Sequence, residues 1–155
     1  MRHATSTWTA GFFLAVGLLL PGSIAAAPTT LPIDQVGDVG RENAISIGGN
    51  GFPIVSYLAY DSGGGLHSLK TTTCGSSDCS TGNVTATVVA APVQKNGGIA
   101  VPEDGRPVLV YNTSDATKFV RCGNASCTTG NTTVSLPGTE DSAVLIGQDG
   151  LPLVV

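Results

Sequence analysis

A sequence written twice and begun a third time constrains this 155-residue chain more than any other feature. Ala44-Ile45-Ser46-Ile47-Gly48-Gly49-Asn50-Gly51-Phe52-Pro53-Ile54-Val55-Ser56-Tyr57 returns as Gly98-Ile99-Ala100-Val101-Pro102-Glu103-Asp104-Gly105-Arg106-Pro107-Val108-Leu109-Val110-Tyr111, and the pattern starts again at Ala143 and runs to Val155. Each copy is a short apolar run, an Asn-Gly or Asp-Gly turn, then X-Pro and a β-branched run. That order is a hairpin signature, because glycine supplies the positive φ a tight turn needs. The proline falls at a strand start, where a missing N–H is tolerated. The second half of the unit repeats too: Leu69 to Cys74 answers Phe119 to Cys122, and Cys79-Ser80-Thr81-Gly82-Asn83 answers Cys127-Thr128-Thr129-Gly130-Asn131. The cysteines recur 48 residues apart but Gly51 and Gly105 lie 54 apart, so the first unit carries six extra residues around Gly63-Gly64-Gly65.

Each complete unit therefore reads as four short strands: a, turn, b, loop, c, clipped loop, d. Four strands per unit of about 50 residues predicts an all-β, propeller-like array of four-stranded antiparallel units. A Greek-key sandwich is the architectural runner-up, and the lack of any 3.6-residue apolar stripe excludes helical solenoids. The units span about 43–90, 97–138 and, in part, 142–155. Thr29-Thr30-Leu31-Pro32-Ile33-Asp34 resembles Thr132-Thr133-Val134-Ser135-Leu136-Pro137 and is expected as a lone d strand. The predicted array is incomplete, about 11 strands, where a closed propeller takes about four to eight blades. A fragment of a longer repeat protein is the leading explanation, ahead of oligomers that complete a ring and of a small open stack. Unpaired strand edges in such an array invite self-association.

Residues 1–25 do not belong to that array. Met1-Arg2-His3 is followed by the apolar run Gly11 to Leu20, then Pro21 and small residues, which is the order of a secretory signal peptide. The run is half the roughly 20 residues a membrane span needs. Cleavage after Ala25 avoids a proline just beyond the cut and leaves a β-repeat domain over 26–155, secreted to the periplasm or outside the cell. All 11 carboxylates lie in that domain and Arg2 leaves with the leader, so six basic residues remain and the formal charge is −5. With no basic run, nucleic acid and anionic membranes are poor partners. Cys74, Cys79, Cys122 and Cys127 form two C-x4-C pairs, which export turns into disulfides. Identical local spacing favours Cys74–Cys79 and Cys122–Cys127; a four-thiolate zinc site competes but suits an oxidising compartment poorly.

At Ile45 to Tyr57 and Leu69 to Thr81 the chain resembles a group of uncharacterised bacterial secreted repeat proteins. Their units read roughly S-I-A-I-G-x-D-G-x-P-x-I-S-Y, then L-K-V-x-x-C-x4-C-T. Asn50 stands where that group usually has Asp, Pro102 where Gly is usual, and Phe119-Val120-Arg121 where Leu-Lys-Val is usual. The resemblance covers nearly all of the domain, implies a propeller-like array in longer relatives, and brings no chemistry.

Residues that could carry chemistry are few. His67 could be grouped with Ser68, Ser62 and Asp61 as a triad, but no nucleophile elbow surrounds a serine, and an exposed loop histidine is expected. Glu103-Asp104 and Glu140-Asp141 are neighbours in sequence rather than carboxylates facing across a cleft, and read as solvated turns. Asn50, Asp104 and Asp149 recur before glycine, yet one carboxylate per turn is too few for a calcium shell. Tyr57 and Tyr111, at equivalent strand-b ends, are candidate stacking platforms for a glycan, with a core or blade-rim role as the plainer reading. The sequons at Asn83, Asn112, Asn124 and Asn131 matter only in a eukaryotic secretory pathway, and no glycans are expected on them. The sequence thus predicts a secreted protein with a structural or interaction role, no catalytic centre, no cofactor and no metal. A lectin-like carbohydrate binder is the alternative.

Overall fold

A computed structural model describes residues 30–60, 67–90, 92–138 and 141–155. The expected leader, the Gly63–Gly65 insertion with Asp61 and Ser62, and Glu140 lie outside the described residues. Ten strands and no helix are found among the described residues. Sheet A is the meander β1 (Asp38–Ile47), β2 (Pro53–Tyr60), β3 (His67–Thr73) and β4 (Val84–Val89). Sheet B repeats it as β5 (Lys95–Ala100), β6 (Val108–Asn112), β7 (Thr117–Arg121) and β8 (Thr132–Leu136), and a hairpin of β9 (Val144–Ile146) and β10 (Pro152–Val154) follows. Neighbouring strands are antiparallel throughout and no sheet closes on itself. The fold is all-β, a propeller-like array that stops short of a ring.

The turns form for the reason the sequence offers. Gly51, Gly105 and Gly150 sit at φ of +80°, +71° and +76°. The residue before each caps the turn: Asn50 Oδ1, Asp104 Oδ1 and Asp149 Oδ1 accept from the N–H two residues on, at 3.1, 3.1 and 3.0 Å. The Gly48 and Gly147 N–H groups close their turns onto the Phe52 and Leu151 carbonyls at 2.7 and 2.8 Å, a bond Pro102 cannot donate in the second unit.

Both disulfides are formed as the spacing favoured, Cys74–Cys79 and Cys122–Cys127, each with Cα atoms 4.8 Å apart. The surrounding loops explain why the flanking residues repeat with the cysteines. A Cβ on Gly75 would sit 2.6 Å from the Thr81 and Gly82 carbonyl oxygens, and one on Gly123 would sit 2.4 Å from that of Thr129, so only glycine fits. Asn83 accepts from the Gly75 N–H and donates to the Cys79 carbonyl at 2.7 Å; Asn131 does the same for Gly123 and Cys127, donating at 2.8 Å.

Because side chains alternate along a strand, the register sorts each sheet into two faces. Ile45, Val55, Thr72 and Thr85 form one row across sheet A, on what we term its front; Ser46, Ile54, Thr73 and Val84 form a row on its back. The corresponding front row of sheet B is Ile99, Leu109, Val120 and Thr133, and Gly98, Val110, Phe119 and Val134 lie on its back. The core is the contact of one back with the next front. Ile54, Leu58 and Leu69 of sheet A meet Ile99, Leu109, Tyr111 and Val120 of sheet B, with Val93 and the second disulfide beside them. Strands β1 and β5 lie side by side, as do β5 and β9. The first pair is tied by Asn96, whose N–H and side-chain amide bond Glu42 at 2.9 and 2.7 Å and whose amide also reaches Ser56 at 2.9 Å.

One element departs from expectation. Thr30 to Gly37, expected as a lone d strand through Asp34, is in no sheet. Its Asp34 carboxylate instead takes bonds from Tyr57 and Lys70 on the front of sheet A. The segment is a strap across a sheet face, not an added strand.

Candidate functional site

The strand-b tyrosines occupy equivalent positions, and Tyr57 anchors a buried polar cluster. In β2, Tyr57 stands opposite Lys70 of β3, and in β6 Tyr111 stands opposite Lys118 of β7, so the two units place the pair identically. Around Tyr57 the neighbours are polar. Its hydroxyl donates to Asp34 at 2.8 Å and lies 3.0 Å from the Thr72 hydroxyl, which lies 2.9 Å from that of Thr85. With the tyrosine proton committed to the carboxylate, Thr72 donates to Tyr57 and Thr85 to Thr72. Lys70 completes the cluster, its ammonium 3.2 Å from the same Asp34 oxygen.

The electrostatics follow from enclosure. Burial pushes the Asp34 carboxyl up, but the Val36 N–H, the Tyr57 hydroxyl and the Lys70 ammonium outweigh it and hold the group below its ordinary value. Burial, reinforced by the Asp34 charge and only partly opposed by Thr72, pushes the Tyr57 phenol up to about 12. The phenol stays protonated and serves as a donor. Burial likewise raises Tyr111. Chemically this is a stable clasp.

The two tyrosine side chains are brought to equivalent sites but not to a common surface. Tyr57 is 2 % exposed beneath the strap and Tyr111 is 6 % exposed between the sheets, so in this arrangement neither ring offers solvent a free face. Both stand within their strands rather than at the blade rim. Val120 of sheet B replaces Thr72 of sheet A, and Lys118 donates to Ser135 at 2.9 Å, so the polar relay is confined to the first unit.

His67, expected in an exposed loop, is instead the first residue of β3, half-buried with its ring 3.7 Å from that of Tyr60. The Arg41 guanidinium lies 4.4 Å above the other partner of that contact, the Tyr60 ring. The longer first hairpin causes the difference, since its ladder runs on to Tyr60 and His67 where the second unit's ends at Asn112 and Thr117. Ser68, the next residue along an extended strand, points to the opposite face from His67, so the two do not form a triad.

Asp104 and Asp141, one from each neighbouring pair, are engaged. Asp104 caps its turn and pairs with Arg121 at 2.6 Å, while Asp141 pairs with Lys95. Among the described residues no group of three or more His, Cys, Asp and Glu side chains is gathered as metal ligands. Of the sequon asparagines, Asn112 is buried, and Asn83, Asn124 and Asn131 are bonded within the clipped loops. A cleft of about 630 Å³ lies between the back of sheet B and the β9–β10 hairpin, floored by Phe119 and Leu136 and walled by Pro152 and Val154.

Sequence reasoning missed the strap and its clasp. The one available signal was Asp34 itself, the only charge in the stretch Thr29 to Gly37.

No protein-family model, curated protein or solved structure matches the chain. Two disulfides are present, and among the described residues no helix is long and apolar enough to cross a membrane.

Proposed function

We propose that the chain is an exported β-repeat protein with a structural or interaction role and no catalytic centre, akin to the bacterial secreted repeat proteins its units resemble. One observation carries this reading: most of the polar groups singled out as candidates are committed to architecture. Asp104 and Asp149 hold turns, Asp34 and Tyr57 fasten the strap, Asn83 and Asn131 close the disulfide loops, and Tyr111 fills the inter-sheet core. A general acid, base or nucleophile needs a free group within reach of substrate, and these are hydrogen-bonded within the fold or, for Tyr111, enclosed in the core. The two disulfides support an oxidising location, periplasmic or extracellular.

Two measurements test the reading. N-terminal sequencing of the protein recovered from culture should begin at Ala26; recovery from the cytoplasm with residues 1–25 intact would overturn export. Purified protein should be silent on a glycan array. Saturable binding lost in Tyr57→Ala or Tyr111→Ala, with the variants still folded, would replace this reading with the lectin-like one.

A further inference from the structure

Among the described residues, half of the large apolar side chains left exposed gather on the two outer faces of the stack. At one end, the front of sheet A presents Ile45 and Ile47 beside the half-buried Val55. At the other end, the back of the β9–β10 hairpin presents Leu145 and Leu153, with Val155 just beyond. The repeat register gives each of these residues a counterpart that is buried inside the molecule. Ile45 is 68 % exposed, while Ile99 at the same front position of sheet B is 6 % exposed under the back of sheet A. Leu153 is 52 % exposed, while Ile54 and Val108 at the same back position are fully buried, Ile54 under sheet B. The free front therefore has the chemistry of a surface that packs on a back, and the free back that of a surface that packs on a front.

We propose that the partner for these faces is a second copy of this chain, joined head to tail: the back of its β9–β10 hairpin seats on the front of sheet A and continues the internal packing. The inference rests on the reading of the chain as an interaction module, and names the partner. The fit extends to the strap. Tyr57, Lys70 and the strap's Asp34 cover the β2–β3 half of the front and Ile33 borders Val55, so the β1–β2 half is open at Ile45 and Ile47. A two-stranded hairpin covers about half of a four-stranded sheet, and the half left open is the one that inner strands occupy inside the molecule, where β1 meets β5 and β5 meets β9. Because the two surfaces differ, the contact is heterologous and propagates until it closes into a ring or runs on as a filament.

The test uses one charged substitution at each end. Ile47→Asp blocks the front and Leu153→Asp blocks the back, and both positions are solvent-exposed, so the melting curves of the dilute variants should match the parent. Sedimentation velocity should show concentration-dependent assembly of the parent protein, and each variant alone should lose it by about 100-fold or more in affinity, since a carboxylate would be desolvated without a partner. Mixed in equal amounts, the two variants should form a one-to-one heterodimer and nothing larger, because each keeps one sound end. A parent that stays monomeric at high concentration overturns the proposal. So do variants that assemble as well as the parent, which would point to strand edges, and a mixture that stays monomeric. The glycan array separates the two levels of inference: binding there sinks the scaffold reading, while silence there with a monomeric parent sinks only the second copy.

Discussion

Sheets A and B are built from one repeat, and they differ most where their neighbours differ. The front of sheet B carries Leu109 and Val120 and is buried beneath the back of sheet A. At the same positions the front of sheet A carries Val55 and Thr72, and Thr72 is joined to a hydrogen-bonded relay that ends on Asp34 of the strap. The inner strands were not retuned: Ile45 and Ile99 are the same residue in opposite surroundings. A repeat unit thus has a fixed hairpin grammar and a variable outer face, and the outer face records what covers it. In an array of this kind, stability should be set by nearest-neighbour interfaces as much as by the units themselves. The same substitution should accordingly cost more in the second unit, which has a neighbour on either side, than in the first.

Removal of the disulfides gives the largest separation. Closing so short a loop stabilises by about 2 kcal/mol on the chain-entropy model, equally for both units. In the second unit Cys122 and Cys127 are also part of the inter-sheet core, whereas in the first only Cys74 is buried. Replacing Cys122 and Cys127 by alanine should cost about 3 to 4 kcal/mol, adding a cavity cost to the lost constraint, and replacing Cys74 and Cys79 about 2 kcal/mol. Urea titrations of the two double variants measure the gap; equal costs would mean that the second loop gains nothing from the core around it.

The glycine turns sharpen the comparison at one residue. Gly51, Gly105 and Gly150 share a positive φ, so a valine at any of them should cost about 1 to 3 kcal/mol in backbone strain. Gly105 alone is crowded as well. A Cβ there would stand 3.3 Å from the Gly49 Cα, and one on Gly49 would stand 2.7 Å from the Gly105 Cα, while Gly51 and Gly150 have nothing within 4 Å. Gly105→Val should therefore fall at or beyond the top of that range and Gly51→Val and Gly150→Val within it. Thermal melts of the three variants decide this, and equal shifts would show that the turn-to-turn contact between units is not formed.

These residues also mark how far the sequence could be read. Turn glycines, the Asn or Asp before them, and the cysteine pairing are local consequences of backbone geometry, and each recurs with the repeat. The four-strand meander followed from the same spacing, as did the six-residue insertion, since β2 and β3 continue to Tyr60 and His67 on either side of it. What the sequence could not give is which face of a unit is covered. That property is non-local: nothing in the Ile45 pattern distinguishes it from the Ile99 pattern. The strap is hidden for a related reason: Thr29 to Asp34 has strand-like composition and resembles Thr132 to Pro137, but Pro32 has no N–H to give a ladder and Asp34 finds its partners on a sheet face. Tyr57 and Tyr111 were legible as an equivalent pair, yet their surroundings were not.

The clasp belongs to the first unit alone, and breaking it should cost less than the glycine and disulfide changes. Asp34→Asn removes the charge that accepts from Tyr57 and pairs with Lys70, an expected loss of about 1 kcal/mol. The sign of its pH dependence follows from the lowered folded value. The contribution is fully present above the usual carboxylate range and is lost as pH falls through the folded value. Parent and variant should therefore differ most near neutral pH and converge in strong acid, as measured by melts across that range. A gap that stays constant into acid would mean that the Asp34 charge plays no part in the clasp.

The smallest effect expected lies in the clipped loops, where the two units close the same turn with different chemistry. In the second unit Asn124 does the work alone: its Oδ1 accepts from the Ser126 and Thr128 N–H groups at 3.2 and 3.1 Å, and its amide donates to the Thr128 hydroxyl at 2.8 Å. In the first unit Ser76 and Asp78 share the task. The Ser76 hydroxyl donates to the Asp78 carboxylate at 2.8 Å and accepts from the Ser80 N–H, which the carboxylate also receives, both at 3.1 Å. The hydrogen bonds from Ser76 and Ser80 hold the Asp78 carboxyl at about 2, although the group is open to solvent. Grafting the second unit's residues into the first, Ser76→Asn with Asp78→Ser, should leave the melting temperature nearly unchanged at neutral pH, since one set of caps replaces another. Acid separates the two. A depressed carboxyl stabilises above its unfolded value and loses that contribution as pH falls through about 2, so the parent should lose a little stability there that the graft keeps. Melts of parent and graft at neutral pH and near pH 2 would then cross or converge by a small margin. A graft that is clearly weaker at neutral pH would show that the loops are not interchangeable, and that the first unit's acidic cap has a role beyond closing its turn.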